Sequence, residues 1–104
     1  MRRARFLASV RADFLAILTY IAESTGSVAV GETFVAKLPA KCHALAALQA
    51  TVGRTRPELG ADIRSFPYGN YVIFFRYIDA RFEVVRILER HLDIDANYGG
   101  FDAP

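Results

Sequence analysis

The stretch from Gly53 to Asp95, GRTRPELGADIRSFPYGNYVIFFRYIDARFEVVRILERHLDID, decides the fold of this 104-residue chain. Within it, Tyr71–Ile78 is aromatic and β-branched throughout, which is typical of a strand. Asp79 and Ala80 make a tight connection, after which Phe82–Leu88 is expected to pair back as an antiparallel hairpin. The stretch therefore predicts a strand hairpin at the centre of the domain.

A shorter strand and a linker are predicted ahead of this hairpin. Asp62–Phe66 is predicted to form the short strand, and Pro67-Tyr68-Gly69-Asn70 the turn that closes it. Arg54–Gly60 contains Pro57 and ends in glycine, so we expect an extended linker there.

The residues upstream predict one strand and two helices. Arg5–Ser9 is short and apolar, as in a first strand. Ser9 suits the N-cap of a helix over Val10–Glu23, and Gly26 is placed to end that helix. Ser27 suits the N-cap of a second helix. The apolar stripe of the second helix consists of Phe34, Leu38, Cys42, Leu45, Leu48 and Val52.

The two predicted helices are joined by about three residues, so we expect them to form an antiparallel hairpin. The predicted class is therefore α+β in the order β-α-α-β-β-β, with the helical hairpin on one face of a small, mainly antiparallel sheet. Pro39 lies inside the second helix, where it removes a backbone donor and crowds the carbonyl of Val35. We expect a kink or a local break there.

Side-chain alternation assigns the residues of the strand hairpin to two faces. One face of the first strand is expected to carry Tyr71, Ile73, Phe75 and Tyr77. In the last strand, Val85 and Ile87 are expected on one face, and Phe82, Val84, Arg86 and Leu88 on the other. Both faces of the sheet are then largely apolar. Because the helical hairpin covers only one of them, the other is expected to expose aromatic side chains unless something else covers it, and a contiguous exposed apolar surface indicates an interaction site.

Composition predicts one small globular domain, which we place at residues 1–95, followed by a flexible tail at 96–104. The chain is 53% hydrophobic and 23% charged, too apolar for a disordered segment. It contains no apolar run of the roughly 20 residues that cross a bilayer. The single cysteine, Cys42, suits a reducing cytoplasm. The net charge of +2 argues against a large nucleic-acid footprint.

Arginines are the candidate functional groups, since the chain has 11 Arg and only 2 Lys. Arginine offers a rigid fork to carboxylate or phosphate, although a GC-rich coding sequence explains the bias equally well. Signatures of phosphate loops, metal sites and nucleophilic triads are absent, so we expect no cofactor and no metal. The residues of interest are Arg54, Arg56, Arg64, Arg76, Arg86 and Arg90, with His91. Three interpretations stay open: metal-free RNA cleavage, binding of acidic protein side chains, and ion pairs of Arg76 and Arg86 with Asp79, Glu83 and Glu89.

Over roughly residues 3–95 the chain resembles ParE-type toxins of the ParE/RelE superfamily. The elements that carry the resemblance are Ala12-Asp13, Ile17, Tyr20-Ile21-Ala22, Phe34, Arg56-Pro57-Glu58-Leu59-Gly60, Ile63-Arg64-Ser65-Phe66-Pro67, Gly69-Asn70-Tyr71-Val72-Ile73-Phe74-Phe75-Arg76, Val85-Arg86-Ile87-Leu88 and Asp93-Ile94. The resemblance implies the same β-α-α-β-β-β domain. It also implies the toxin of a plasmid stabilisation system, encoded beside a ParD-like ribbon-helix-helix antitoxin. The C-terminal segment of that antitoxin is expected to wrap over the toxin and cover its exposed apolar groove.

Two activities occur in this superfamily: RelE-like members are ribosome-dependent mRNA endonucleases, and ParE-like members are associated with inhibition of DNA gyrase. The nuclease branch carries an arginine where this chain has Val72. The resemblance thus implies a cytoplasmic gyrase inhibitor rather than an enzyme, without strong direct binding to DNA. The alternatives are an RNase that uses Arg64, Arg86 and His91, or an inactive binding module. The residues assigned to binding of the antitoxin or the target are Arg56, Arg64, Tyr71, Phe75, Arg76, Arg86 and His91.

Overall fold

The computed structural model describes residues 2–91 of the chain. Within these residues the elements are β1 (Arg3–Phe6), α1 (Ala8–Thr25), α2 (Val28–Ala47), β2 (Arg54–Thr55), β3 (Arg64–Tyr68), β4 (Tyr71–Ile78) and β5 (Arg81–Glu89). This order confirms the predicted α+β class and the β-α-α-β-β-β arrangement, to which β2 adds a two-residue strand. The tail predicted at residues 96–104 lies outside the described residues.

The strands form one sheet in the order β1-β5-β4-β3-β2. β1 runs parallel to β5 and every other neighbouring pair is antiparallel, which confirms a mainly antiparallel sheet. The two-residue connection between β4 and β5 is also confirmed. It places Asp79 at a φ of 54°, in the left-handed region that a short polar side chain tolerates.

Gly26 and Ser27 join α1 to α2, and both serve as predicted. Gly26 ends α1 in the left-handed conformation at a φ of 74°, and the Ser27 hydroxyl accepts a hydrogen bond from the Val30 N–H at 3.2 Å. The two helices lie close together at Gly31, where a Cβ would lie 2.8 Å from Leu18 Cδ1 and 3.0 Å from the Leu18 carbonyl oxygen. Glycine is therefore needed at this position for the helices to pack at their present distance.

The first two elements begin two residues earlier than predicted. β1 covers Arg3–Phe6 and α1 begins at Ala8, with Leu7 at the N-cap and no side chain capping the helix. Ser9, the predicted N-cap, instead donates its hydroxyl to the Val85 carbonyl at 2.8 Å. A long-range bond to β5 thus replaces the local capping bond that the sequence indicated.

α2 runs unbroken through Pro39, so the predicted local break is wrong. Leu38 and Cys42, on either side of the proline, are fully buried, and this packing offsets the backbone hydrogen bond that proline removes. The helix ends five residues before the predicted Val52. Val52 lies in the following loop, where its N–H donates to the Tyr77 hydroxyl at 3.0 Å.

β2 and β3 differ from the prediction in extent. β2 lies within the predicted linker, where it pairs with β3 at the edge of the sheet. β3 begins two residues later than predicted and includes Pro67 and Tyr68, so the turn to β4 consists of Gly69 and Asn70. Gly69 adopts a φ of 59°, which glycine accepts without steric cost.

A β-bulge between β4 and β5 overturns the predicted alternation in β5. The pairing steps from Phe74 opposite Arg86 to Phe75 opposite Val84, so Val85 is an extra residue in β5. The face that packs on the helices carries Tyr71, Ile73, Phe75 and Tyr77 as predicted, together with Phe82, Val84 and Ile87. The second face carries Phe74, Val85 and Leu88. Ile87 was predicted to share a face with Val85, and Leu88 with Val84. Both predictions were wrong, because one extra residue reverses the alternation beyond it.

The apolar part of the second face is covered by another segment of the chain, so it does not expose aromatic side chains. Phe74, Val85 and Leu88 are 0%, 2% and 6% exposed. They pack against Leu59 and Ile63 from the loop between β2 and β3. This loop, predicted as an extended linker, therefore contributes a second small core.

Candidate binding surfaces and the predicted arginine sites

Asp13 fixes α1 to β5 at the bulge. It is 6% exposed, and its Oδ2 accepts hydrogen bonds from the Arg86 Nε and the Ile87 N–H, both at 2.9 Å. Its Oδ1 accepts a third from Arg86 Nη2 at 3.0 Å. β1 ends opposite Val84, so among the described residues β5 has no strand partner on that side beyond this point, and side chains of α1 satisfy its backbone groups. Arg86 thus pairs with an acid of α1 rather than with the hairpin acids that the sequence indicated.

Arg64 holds the loop that follows α2. Its Nε donates to the Val52 carbonyl at 2.9 Å and its Nη2 to the Gly53 carbonyl at 3.3 Å. The guanidinium also lies 6.0 Å from the centroid of the Tyr77 ring, which Arg2 approaches at 4.4 Å. Arg64 is therefore a structural residue of this loop.

Arg56 and Arg76 lie on the second face of the sheet, and each is paired with a carboxylate. Arg56 contacts Glu58 at 2.7 Å, and this hydrogen bond lowers the pKa of the Glu58 carboxyl below its ordinary value. Arg76 contacts Glu83, directly opposite it on β5, at 2.8 Å. The predicted ion pair between Arg76 and Glu83 is confirmed.

The two predicted aromatic site residues are both largely enclosed. Phe75 is fully buried and stacks on Phe82 with 4.2 Å between ring centroids, so a partner that docks on the intact fold does not reach its side chain. Tyr71 is 6% exposed and its ring lies 5.3 Å from that of Phe34. Burial raises the pKa of the Tyr71 hydroxyl.

A groove of about 180 Å³ lies between α1 and the C-terminal half of β5, and we call it the α1–β5 groove. Tyr20 of α1 and Tyr71, Arg86 and Glu89 of the sheet are among its lining residues. His91 lies beside it, with Nδ1 3.4 Å from the Glu89 carboxylate. The structure thus brings Tyr71 and Arg86 to one groove, and His91 contacts Glu89 of its lining. It places Arg56 and Arg76 on the second face, and Arg64 at the loop after α2.

Exposed apolar side chains gather on the helices rather than on the sheet. Tyr20, Val28 and Val30 are 55%, 58% and 49% exposed. An open depression of about 390 Å³, the α2 patch, is lined by Ala29, Val30, Thr33, Phe34 and Lys37. Because Phe34 contacts Tyr71, the α2 patch adjoins the α1–β5 groove. An apolar surface next to a groove that contains Arg86 and Glu89 suits an amphipathic partner segment.

The described residues show neither a metal site nor a reactive thiol. Within residues 2–91 no group of three or more His, Cys, Asp or Glu side chains is placed to hold a metal ion. Burial raises the pKa of the Cys42 thiol to about 12, which removes it as a nucleophile at neutral pH. No helix in the same range is long and apolar enough to cross a membrane.

The structure defines a small α+β domain, in which a helical hairpin covers one face of a mainly antiparallel sheet. Residues 4–93 match the model of the family described as ParE toxin of type II toxin-antitoxin system, parDE. The chain therefore belongs to the ParE toxin family, as the sequence resemblance predicted, and is the toxin component of a type II toxin–antitoxin pair. Its partner is an antitoxin. No match was found among curated proteins.

Asp13 is the site residue that sequence reasoning missed, although the sequence carried a signal for it. It follows Val10 by three residues and precedes Ile17 by four, so it lies on the buried stripe of α1. A carboxylate on such a stripe needs a partner, because an unpaired buried charge is strongly destabilising. Val28 and Val30 were missed for a different reason: they precede the predicted stripe of α2, which begins at Phe34.

Proposed function

We propose that this toxin inhibits DNA gyrase in the cytoplasm and does not cleave RNA. The observation that carries the proposal is Val72, near the start of β4, where the nuclease branch of the superfamily carries an arginine. Val72 is partly buried against the second core. An aliphatic side chain there neither stabilises the charge of a reacting phosphate nor transfers a proton.

The two arginines of the alternative nuclease mechanism support the same conclusion. Arg64 donates to backbone carbonyls of the loop after α2, on one side of β4, and Arg86 holds Asp13 of α1 on the other. Guanidinium groups stay protonated in proteins, so neither serves as a general acid or base. His91, the third residue of that set, has an imidazole that is 75% exposed to solvent.

The antitoxin in this proposal is ParD-like and uses its C-terminal segment to cover the α2 patch. Val30, which lines this patch, is 49% exposed, so docking removes apolar surface from water. From there the segment reaches Tyr71 through the Phe34 contact and enters the α1–β5 groove. Neutralisation by such a partner is the arrangement expected of a plasmid stabilisation system.

A gyrase supercoiling assay with purified toxin, free of antitoxin, tests the proposed target. We expect inhibition of supercoiling or accumulation of cleaved DNA, and we expect equimolar antitoxin to reverse either effect. The same preparation added to translating ribosomes serves as the opposing arm. Unaffected gyrase together with mRNA cleavage on ribosomes would overturn the proposal in favour of an RNase. Unaffected gyrase and intact mRNA would favour an inactive toxin-fold binding module.

Two matched substitutions test where the antitoxin docks. Val30→Glu places a charge in the α2 patch, whereas Leu15→Glu places one on α1 at a position that is 64% exposed. Both side chains are exposed, so neither change should unfold the domain. We expect the affinity for antitoxin to fall by roughly 10- to 100-fold for Val30→Glu and to stay near the parent's for Leu15→Glu. Equal affinities of the two variants would place the docking site elsewhere.

A further inference from the structure

The second face of the sheet carries a cluster of arginines at the end nearest the β4–β5 turn. Arg3 of β1 lies directly opposite Arg81 of β5, and Arg5 lies directly opposite Glu83. Glu83 also faces Arg76 of β4. The neighbouring β1 residues Ala4 and Phe6 pack on the helix side, so the arginines of β1 point to the second face. We call this set, Arg3, Arg5, Arg76 and Arg81 around Glu83, the arginine face.

Three of these four arginines lie outside the ion pair that Glu83 forms with Arg76. Arg3, Arg5 and Arg81 are exposed, and within residues 2–91 their side chains form no hydrogen bond or ion pair. Glu83 is committed to Arg76 at 2.8 Å. Like charges directly opposite each other destabilise a sheet, so the Arg3–Arg81 pair opposes folding until an anion lies against it. Within residues 2–91, this face therefore carries positive charge that Glu83 does not offset.

The backbone beside these arginines is also available for pairing. β1 is the first strand in the order of the sheet formed by residues 2–91. The N–H groups of Arg3 and Leu7 donate to carbonyls of Ala80 and Val84 in the β5 hairpin, so those of Ala4 and Phe6 point to the outer edge. An edge strand with free N–H and C=O groups is a template for an added strand.

An extended peptide has the right repeat for this face. Alternate residues of a strand lie about 6.6 Å apart on one face, which is the spacing of Arg3 and Arg5 along β1. If a segment with carboxylates at alternate positions runs along β1, each carboxylate lies next to an arginine guanidinium. A nucleic-acid duplex fits less well, because duplex binders typically neutralise about 6–10 phosphates and this face offers three unpaired arginines. None of the large apolar side chains exposed in the described part of the chain lies on this face, so it offers no platform for stacking bases.

We propose that the arginine face binds an acidic, extended segment of the antitoxin, which pairs with the edge of β1. The proposal rests on the proposed antitoxin partner and adds a second contact to the α2 patch. It assigns the antitoxin a stretch with Asp or Glu at alternate positions. It also assigns Arg3 and Arg81 to partner recognition rather than to folding.

A matched pair of double variants of the full-length toxin tests the proposal. Arg3→Gln/Arg81→Gln neutralises two charges on the arginine face, and Arg11→Gln/Arg54→Gln neutralises two exposed charges elsewhere. The affinity for full-length antitoxin is measured by titration calorimetry between about 50 and 500 mM salt. We expect the first variant to bind at least tenfold more weakly at low salt, with a flatter salt dependence, and the second to bind like the parent. The melting temperature of the first variant should not fall below the parent's, since a like-charge contact is removed.

Three outcomes would overturn the inference, and each has a separate meaning. If Arg3→Gln/Arg81→Gln binds the antitoxin as tightly as the parent does, the antitoxin remains the partner but does not bind the arginine face. Salt-sensitive binding of a DNA duplex or an RNA by the parent toxin, lost in the same variant, assigns the face to nucleic acid. Failure of the parent toxin to bind the antitoxin at all refutes the proposed partner together with this inference.

Discussion

Replacing Asp13 with alanine is expected to lower the free energy of unfolding by about 3 kcal/mol. The Asp13 carboxylate accepts three hydrogen bonds, two from Arg86 and one from the Ile87 N–H. Losing it leaves a buried backbone N–H without a partner, at roughly 1–3 kcal/mol. It also removes the counter-charge of Arg86, whose side chain is 23% exposed, so water partly replaces this contact and about 1–2 kcal/mol is lost.

Thermal and urea unfolding of the purified toxin measure this change. For a domain of this size, about 3 kcal/mol corresponds to a fall of roughly 12 °C or more in melting temperature. Glu83→Gln is the matched control, because Glu83 also pairs with an arginine that is 23% exposed but receives no backbone N–H. We expect it to cost about 1–2 kcal/mol.

The reasoning fails if Asp13→Ala costs less than about 1 kcal/mol, or if Glu83→Gln costs as much as Asp13→Ala. A double-mutant cycle adds a second check. Arg86→Ala and Asp13→Ala should be non-additive, with a coupling energy of about 1–3 kcal/mol, because the two side chains share two hydrogen bonds. Strict additivity would mean that the contact contributes nothing in solution.

Three further predictions follow from the packing. Gly31→Ala should lower the free energy of unfolding in urea by about 1 kcal/mol, because its Cβ would lie 3.0 Å from the Leu18 carbonyl oxygen of α1, and this contact is expected to outweigh the roughly 1 kcal/mol by which a helix favours alanine over glycine; no loss would mean that the helices separate without cost. Gly53→Ala should cost clearly more than Gly26→Ala. Both have positive φ, but only at Gly53 would a Cβ lie 2.8 Å from a backbone carbonyl and an aromatic ring, so equal melting temperatures would contradict the steric argument. Burial raises the pKa of the Cys42 thiol from its ordinary value of 9.0 to about 12. The contribution of this thiol to the free energy of unfolding is therefore complete below pH 9.0 and is lost as the pH rises toward 12. A Cys42→Ala variant should therefore lose less stability than the parent between pH 9 and 11, and identical pH profiles would contradict the assignment.

The sequence predicted the elements whose signals are local. The β4–β5 hairpin followed from a run of aromatic and β-branched residues, and the junction between the helices followed from Gly26 and Ser27. Each of these features depends on residues within a few positions of one another. Predictions of this kind succeed because backbone propensity and tertiary packing favour the same structure.

The features that the sequence did not give depend on residues far apart in the chain. The bulge at Val85 depends on how β5 meets α1, where Asp13 binds a residue 73 positions away. Simple alternation placed Ile87 and Leu88 on the wrong faces because nothing local marks the extra residue. Burial of the second face was missed for a similar reason, since Leu59 and Ile63 lie in a segment whose glycine and proline indicate only a linker.

The arginines of this toxin fall into two groups by their contacts. The group to which an arginine belongs decides how a toxicity assay of its substitution is interpreted. Arg64 and Arg86 stabilise the fold through carbonyls and a carboxylate, so an alanine at either position can abolish toxicity simply by unfolding the toxin. Loss of toxicity in Arg86→Ala therefore identifies a contact with the target only if the melting temperature stays near the parent's. Arg3 and Arg81 carry no such ambiguity, because within residues 2–91 their side chains form no hydrogen bond or ion pair. A change in partner affinity on their substitution reports recognition directly.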